Sequence, residues 1–97
     1  MNRKDLIDRL QALYKDEASR VTVNPHAGQK VAIVYPNTYF VGMSNLGLHI
    51  IYEEINLLHD SVCERIFLPE KKELEAYDKT KTPLMSIETQ RPMHQFD

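Results

Sequence analysis

The segment from Tyr35 to Gly47 contains the residues of this chain whose types and spacing could bind a ligand. It follows an apolar run that predicts a buried strand and precedes a predicted helix, so it lies where open α/β folds bind ligands, at the carboxyl end of a sheet. Backbone N–H groups of the first helical turn could hold an anionic or amide group. The candidate binding residues are Asn37, Thr38, Tyr39, Gly42, Met43, Ser44, Asn45 and Gly47.

The glycines and the serine of this segment do not complete a phosphate-binding or hydrolase motif. Gly42 and Gly47 have the glycine spacing of a phosphate-binding P-loop. Leu48 and His49 follow, however, where a P-loop needs Lys and then Ser or Thr. A hydrolase nucleophile elbow fails too, because the second glycine lies three residues after Ser44 instead of two. The pattern favours Ser44 as a helix cap over a nucleophile, and we predict no catalytic residue.

The cysteine and histidine residues predict neither a disulfide nor a metal site. Cys63 is the only cysteine, and on its predicted strand we expect it to pack as a small hydrophobic residue. His49 lies inside a predicted helix with no second His or Cys at metal-ligand spacing. The neighbouring Glu64 and Arg65 are expected to form a charge pair at the edge of the sheet.

Hydrophobic periodicity predicts an alternation of helices and strands. An amphipathic helix is predicted from Lys4 to Ala18, because apolar residues recur three and four positions apart. The later predicted elements are a short strand or connector at 20–24, a strand at 31–35, a loop at 36–43, a helix at 45–58 capped by Ser44 or Asn45, a strand at 62–68 and a helix at 70–77. The order strand, helix, strand predicts an α/β fold with a parallel sheet.

The apolar run from Val31 to Tyr35 predicts a central strand that is covered on both faces. After the second strand, a polar connector leads to Asp97 without another apolar strand. We therefore expect a fragment that stops before its third strand. A sheet that lacks this strand has an exposed edge, so we expect homo-oligomers that pair through that edge.

Length and composition are typical of one soluble unit. The chain has 97 residues, 42% of them hydrophobic, and 12 Lys plus Arg against 14 Asp plus Glu give a net charge of −2. No excess of positive charge is present to drive binding to nucleic acid or to an anionic membrane. Charged residues interrupt the N-terminal apolar residues, so no signal peptide is predicted, and a single cysteine favours a cytoplasmic location.

Three blocks of the sequence resemble the N-terminal region of radical SAM proteins with a cobalamin-binding-like leading domain. They are 31–47, with Tyr-Pro-Asn-Thr-Tyr and Gly-Met-Ser-Asn-Leu-Gly, then 62–69, and then 86–92 with the final Phe-Asp. The resemblance implies an incomplete Rossmann-like, cobalamin-binding-like parallel sheet at 30–97, after an N-terminal helix and connector at 1–29. Such a region would be noncatalytic and would contribute part of a cofactor- or substrate-binding domain.

The resemblance also implies the cofactors and the partner of the parent protein. There, a C-terminal radical SAM domain holds a [4Fe–4S] cluster on Cys-x-x-x-Cys-x-x-Cys and binds S-adenosylmethionine. This motif is absent here, so no cofactor is expected within the chain itself. Related domains that ligate cobalamin carry Asp-x-His-x-x-Gly, where this chain has Asn37, Tyr39 and Gly42. Tyrosine is a poor cobalt ligand beside imidazole, so either cobalamin binds with no protein ligand or the pocket is vestigial.

Two other functions stay open on the residues alone. A small module could bind a nucleotide or an anionic metabolite at Gly42 to Gly47, an interpretation that depends on the position of this segment. Alternatively, the apolar helix at 45–58 could pack on another chain, which would make the protein a scaffold for protein interactions.

Overall fold

The computed structural model describes residues 1–17, 21 and 23–97, and its helices alternate with two strands. In chain order the elements are α1 (Arg3–Lys15), β1 (Gln29–Tyr35), α2 (Tyr39–Met43), α3 (Leu46–Leu57), β2 (Ser61–Phe67) and α4 (Lys71–Lys79), followed by a short 3₁₀ helix at Met93–Gln95. The predicted α/β class is confirmed, since β1 and β2 form a two-stranded parallel sheet that pairs Gln29 with Ser61 and Tyr35 with Phe67.

The first helix begins with a reciprocal cap. Asn2 Oδ1 accepts the Asp5 N–H at 2.9 Å, and the Asp5 carboxylate accepts the Asn2 N–H at 2.9 Å. Two donors that a helix start leaves unpaired are thereby satisfied. Leu6 is buried, and Ile7 and Leu10 pack beside it. The predicted amphipathic helix is therefore confirmed, with its end at Lys15.

Burial is distributed between the two strands differently from the prediction. Every residue of β2 from Val62 to Phe67 is buried, whereas β1 is only partly covered and its Val34 side chain is 51% exposed. The prediction that 31–35 is covered on both faces is therefore wrong. An apolar run suits a buried strand, but burial also needs neighbours on both sides, and within the described residues β2 is the only strand beside β1.

Two clusters of side chains form the core. One joins α1, α4 and the segment after α4, through Leu6, Ala76, Tyr77 and Met85. The other joins α3, β2 and the same segment, through Leu48, Phe67 and Ile87. This last segment folds back on itself, with a bridge between Met85 and Pro92, and its Ile87 N–H donates to Arg65 O at 3.0 Å. The residues after α4 therefore cover the outer edge of β2.

Several local expectations need correction. The loop predicted at 36–43 contains the short helix α2, because an apolar turn there packs against the end of β2. The Asn56 side chain, on α3, turns toward β2 and bonds both backbone groups of Cys63. Part of the strand or connector at 20–24 lies outside the described residues, and Val21, Val23 and Asn24 are not in a strand. The division of the chain near residue 29 stays a prediction.

The helices are short relative to a lipid bilayer. In the part of the chain that the structure describes, no helix has both the length and the apolar character needed to cross a membrane.

Candidate functional site at the carboxyl edge of the sheet

The segment after β1 lies at the carboxyl ends of both strands. Leu68 N–H donates to Asn37 O at 2.9 Å, which ties the residue after β2 to this segment. Asn37 N–H donates to Tyr35 O at 2.8 Å, and Asn37 Oδ1 accepts the Thr38 N–H at 2.8 Å. Thr38 precedes α2 without a side-chain cap. Asn37 and Thr38 therefore form the tight turn that leads from the sheet into α2.

Tyr39 and Gly42 face the protein interior. The Tyr39 hydroxyl donates to Glu17 Oε2 at 2.8 Å, and its ring packs edge-on against Phe67 with centroids 5.3 Å apart. Gly42 is buried, and a Cβ atom at this position would overlap the Phe67 ring, so the close approach requires glycine. Both candidate residues therefore serve packing.

Met43 also contacts residues in the protein interior. Its sulfur accepts a hydrogen bond from Arg65 Nη1 at 3.4 Å, and its carbonyl oxygen lies 2.7 Å from His49 Nε2. This contact holds the His49 ring, which is half-buried. Met43 thus links α2 to β2 and α3.

Asn45, and not Ser44, caps α3. Asn45 Oδ1 accepts the Leu48 N–H at 3.0 Å. Ser44 instead ends α2, where its N–H donates to Val41 O at 3.2 Å and its hydroxyl donates to Phe40 O at 3.2 Å. Of the two caps predicted for this helix, Ser44 or Asn45, the structure has Asn45, and Ser44 is instead the C-terminal cap of α2, a helix that sequence periodicity did not resolve.

Residues 36–47 connect β1 to α3 through α2 and are called the corner below. The outward side of the corner presents exposed groups. Ser44, Asn45 and Gly47 are exposed, and the apolar side chains of Phe40 and Leu46 are 62% and 73% exposed. The structure therefore divides the eight predicted binding residues. Tyr39, Gly42 and Met43 pack inward, whereas Asn37, Ser44, Asn45 and Gly47 lie at the surface and Thr38 is half-buried between them.

Behind this corner lies a buried ion cluster that sequence reasoning missed. Arg65 is 1% exposed. Its Nε donates to Glu88 Oε2 at 2.6 Å, and its backbone N–H donates to Glu88 Oε1 at 2.9 Å. Its Nη2 donates to Glu17 Oε1 at 2.9 Å, and its guanidinium lies 4.2 Å from the centroid of the Tyr52 ring. One cation therefore connects α3, β2, the residue Glu17 beyond α1, and the segment after α4.

The electrostatics of this cluster favour a charged guanidinium. Burial is the largest influence on Arg65 and would lower its pKa, but Glu88, Tyr52 and Glu17 together outweigh burial and raise the pKa. Burial raises the pKa of the Glu88 carboxyl, and Arg65 opposes that rise. Burial also raises the pKa of the Tyr39 and Tyr52 hydroxyls, which stay protonated as hydrogen-bond donors. The cluster is thus a set of satisfied partners that positions the corner.

Glu64, the neighbour of Arg65, is buried on its own set of partners. Ser86 Oγ and Thr89 Oγ1 donate to Glu64 Oε1 at 2.7 and 2.6 Å. The expectation of an exposed Glu64–Arg65 charge pair is therefore wrong. The missed signal was the occurrence of two charged residues in the middle of an apolar strand, together with the Ser, Glu and Thr residues that follow α4.

The remaining cysteine and histidine side chains are dispersed over the described part of the chain. Cys63 is fully buried, as predicted, and burial raises the pKa of its thiol to about 12. His26, His59 and His94 are exposed. Among the described residues, no group of three or more His, Cys, Asp or Glu side chains is placed to hold a metal ion.

A small apolar cavity lies beneath the start of α2. Its volume is about 40 Å³, and its lining includes Leu10, Tyr39, Phe67 and Ile87. This space is of the order needed for one water molecule. A nucleotide or a corrinoid is therefore too large for this cavity.

The sequence of the second half of the chain matches a known family. Residues 47–97 match the family of radical SAM proteins, N-terminal. Since the match covers more than half of the chain, this protein belongs to that family. The match contains α3, β2, α4 and the segment that closes the ion cluster, and the blocks before Gly47 lie outside it. Comparisons with curated proteins and with solved structures give no match.

The residues of the site do not offer metal ligands for cobalamin or for an iron–sulfur cluster, the two metal cofactors that the resemblance implies for the parent protein. Tyr39, which stands at the place of a cobalt-ligating histidine, is turned inward and bonded to Glu17. His49, the histidine of the neighbouring helix, is bonded to Met43 O. Cys63 is a single buried thiol, whereas an iron–sulfur cluster needs several cysteine thiolates. We therefore derive no step through either group in this chain.

Proposed function

We propose that this chain is a noncatalytic N-terminal module of a radical SAM protein. In this proposal, the exposed corner at 36–47 forms one wall of a cofactor- or substrate-binding crevice that the module shares with the radical SAM domain of the same protein. The observation that carries the proposal is the outward display of Phe40 and Leu46 at the carboxyl edge of the sheet. Large apolar side chains held in solvent at such an edge are typical of a surface that another domain covers.

The inner half of the corner supports a positioning role. Tyr39 reaches Glu17, Met43 contacts Arg65, and Arg65 is fixed by Glu88. These contacts hold α2 rigidly against β2, so the exposed groups keep one geometry. A preorganised wall of this kind binds with a smaller entropic cost than a flexible loop.

The chemistry of the parent protein would reside in the other domain. There we expect the [4Fe–4S] cluster and S-adenosylmethionine, with cobalamin either bound without a protein ligand or absent. Among the described residues, Ser44 Oγ donates to Phe40 O and Cys63 is buried in β2. The chain would contribute shape and exclusion of water.

Site-specific photocrosslinking in the anaerobically purified full-length protein tests the proposal. A photoreactive phenylalanine analogue replaces Leu46, and mass spectrometry maps its crosslinks. We expect crosslinks to residues of the radical SAM domain. Iron, sulfide and corrinoid are measured in the same sample, to establish that the domain is loaded.

The matched control places the same analogue at Leu74 of α4, which is also exposed but belongs to another element than the corner. We expect no crosslink from Leu74 to the radical SAM domain. Equal crosslinking from both positions, or crosslinks from Leu46 only to a second copy of the protein, would contradict the shared crevice.

A further inference from the structure

The apolar cavity beneath α2 lies at the edge where parallel sheets bind ligands. Its lining includes Thr38 and Tyr39, which follow β1, and Phe67 and Leu68, which end and follow β2. These residues mark the carboxyl ends of both strands, and open α/β folds bind their ligands at that edge. The corner therefore has an inward side, which borders this cavity, in addition to its exposed side.

The walls of the cavity have the composition of a ligand site, but the space is closed. Phe67, Tyr77, Leu84 and Ile87 line it with aromatic and aliphatic surface. Ligand sites are mostly apolar in this way, and they have volumes of about 300–1,000 Å³. The volume of this cavity is only about 40 Å³. A ligand would therefore need one of the walls to move.

Helix α1 forms one of these walls and is shallowly seated. Leu10 and Leu13 of this helix line the cavity, and Leu6 is the one residue of α1 that is buried. A helix with few buried apolar contacts separates from a protein at a smaller cost in free energy than the core elements do. Helix α1 is therefore the wall that can move.

Two side-chain pairs join α1 to the rest of the protein near the surface. Arg9 Nε lies 3.3 Å from Glu73 Oε2, and the Arg9 side chain is 47% exposed. Gln11 Nε2 donates to Gln90 Oε1 at 3.2 Å, and this bond is also exposed. Solvent-exposed ion pairs stabilise a contact only weakly. These pairs thus orient the helix without fixing it in place.

The end of α1 is fastened more firmly than its beginning. Glu17, just beyond the helix, donates its N–H to Tyr14 O at 3.1 Å. Its carboxylate is only 4% exposed, and it accepts hydrogen bonds from Arg65 Nη2 at 2.9 Å and from the Tyr39 hydroxyl at 2.8 Å. The beginning of α1 can therefore swing outward while Glu17 stays bound to the corner.

Such a movement would join the seat of Leu6 to the cavity. Leu6 packs on Tyr77 and Met85, and Leu84 lies beside them. Tyr77, Met85 and Leu84 also line the cavity. The two spaces are adjacent, so lifting Leu6 and Leu10 together would open one continuous apolar pocket.

The rim of that pocket would be acidic. Arg9 moves with α1, so Glu73 loses its cation, and the exposed residue Glu70 also lines the cavity. Among the described residues that line the rest of the cavity, none is Lys or Arg. In the closed form, α1 places leucine side chains against the cavity and a guanidinium on Glu73. A ligand that replaces α1 needs the same two features, an apolar body and a cationic end.

We propose that the space beneath α1 is the closed form of a binding pocket for a small organic cation with an apolar body, and that α1 is its lid. The ligand displaces Leu6 and Leu10 from their seats and pairs with Glu73. Because the closed form predominates without ligand, the cost of opening lowers the observed affinity. This inference is independent of the proposed crevice, since it concerns the inward side of the corner.

Titration of the chain with 4-fluorophenethylammonium, followed by fluorine NMR, tests the chemistry of the ligand. We expect saturable binding that is at least about tenfold tighter than binding of 4-fluorophenylacetate, which has the same ring and an anionic end. Glu73→Gln should remove most of this preference. The matched control is Glu75→Gln, on the same helix but outside the cavity lining, which should keep it.

A crosslink tests the lid. A short bismaleimide joins the thiols of the Gln11→Cys, Gln90→Cys double variant and so holds α1 closed, whereas Cys63 is fully buried and should not react. The matched control is the same variant with both new thiols capped by N-ethylmaleimide. We expect the ammonium to bind the crosslinked protein at least about tenfold more weakly than the capped protein, because only the capped protein can open.

Methyl chemical shifts of leucine and isoleucine locate the bound ammonium. We expect changes at Leu84 and Ile87, which line the cavity, and none at Ile50, which is exposed on α3. Absence of saturable binding, equal binding of the carboxylate, or equal binding to the crosslinked and capped proteins would overturn the proposal. So would shift changes confined to Ile50, since they would place the ligand on the surface of α3.

Discussion

At the scale of single residues, Arg65 determines how the candidate site is held. It is a fully buried cation with carboxylates on two sides, Glu88 and Glu17, and an aromatic ring beneath it. Removing one partner of a buried ion pair is much more costly than replacing the whole pair, because the remaining charges lose compensation in a poorly solvated place. The cluster therefore makes α2 dependent on a residue of the strand behind it.

Arg65→Met should destabilise the chain by about 3–5 kcal/mol, since Glu88 and Glu17 stay buried without their cation. Urea denaturation measures the loss. The control is Arg9→Met, which breaks the surface ion pair with Glu73 at 3.3 Å and should cost no more than about 1 kcal/mol. If both variants cost the same, the buried cluster does not hold the fold in the way described.

The Cys63 thiol makes the stability of the folded chain depend on pH in the alkaline range. Its pKa is about 12 in the folded chain against 9.0 in the unfolded chain, so above pH 9 the unfolded state binds fewer protons. Stability should then fall as pH rises from about 9 to about 12, with a limiting slope of about 1.4 kcal/mol per pH unit from this thiol.

Urea unfolding on either side of pH 9 checks this expectation, with Cys63→Ala as the comparison. Tyr77, whose pKa burial also raises to about 12, contributes equally to both proteins. The difference in slope therefore isolates the thiol, and identical slopes in the two proteins would count against a buried, protonated Cys63.

At the scale of elements, the corner depends on how α2 ends and α3 begins. Asn45 satisfies the Leu48 N–H, so Asn45→Ala should cost about 1 kcal/mol of stability. Asn45→Asp keeps an acceptor oxygen and should stay close to the original protein. Ser44→Ala removes an exposed hydroxyl and should cost less than Asn45→Ala in the same denaturation experiment. A larger loss of stability in Ser44→Ala than in Asn45→Ala would indicate that Ser44 caps α3.

The two helical glycines of the corner should respond in opposite ways to alanine. Gly42→Ala places a methyl group into the Phe67 ring, and overpacking of this kind costs about 1–3 kcal/mol. Gly47 is exposed near the start of α3, where alanine gains up to about 1 kcal/mol of helix propensity. Its Cβ atom would lie 3.2 Å from Asn45 Oδ1, so this gain requires the exposed Asn45 side chain to move by a few tenths of an ångström. Thermal unfolding of the two variants compares the signs. Destabilisation of equal size at both positions would show that helix α2 is not seated on Phe67.

At the scale of the whole molecule, the open edge of β1 governs association of the isolated chain. An exposed strand edge with an apolar side chain recruits other strands, so the 97-residue chain should self-associate at high concentration. Val34→Lys should reduce that association, because a charge on an edge strand opposes pairing.

Sedimentation velocity over a range of concentrations measures this effect. Leu74→Lys changes an equally apolar, exposed residue that is far from β1 and should leave the association as it was. A monomer at every concentration, or equal effects of the two lysines, would contradict edge pairing.

The sequence alone determined the order and type of the main elements. Apolar spacing identified α1 and α3, and β-branched runs between turn residues identified both strands, because these patterns are local and each repeats several times. The position of the candidate binding segment after β1 followed from the order of those elements, and three sequence blocks carried the resemblance to radical SAM N-terminal regions. Cys63 was also foreseen as buried, since a lone thiol in an apolar strand has few other roles.

Only the tertiary structure decided which residues of the segment face outward and what holds them. The ion cluster joins Glu17, Arg65 and Glu88, which are far apart in sequence, and no local period marks such partners. Helix α2 was missed because one short turn gives too few repeats to show periodicity. The exposure of Val34 depends on whether a strand lies beside β1 on its outer edge. A valine side chain suits a buried strand and an exposed one alike, so the residue type does not distinguish the two. Local sequence patterns determine where helices and strands form. The burial of a side chain, the open edge of a strand and the partners of an ion pair arise from contacts between distant parts of the chain.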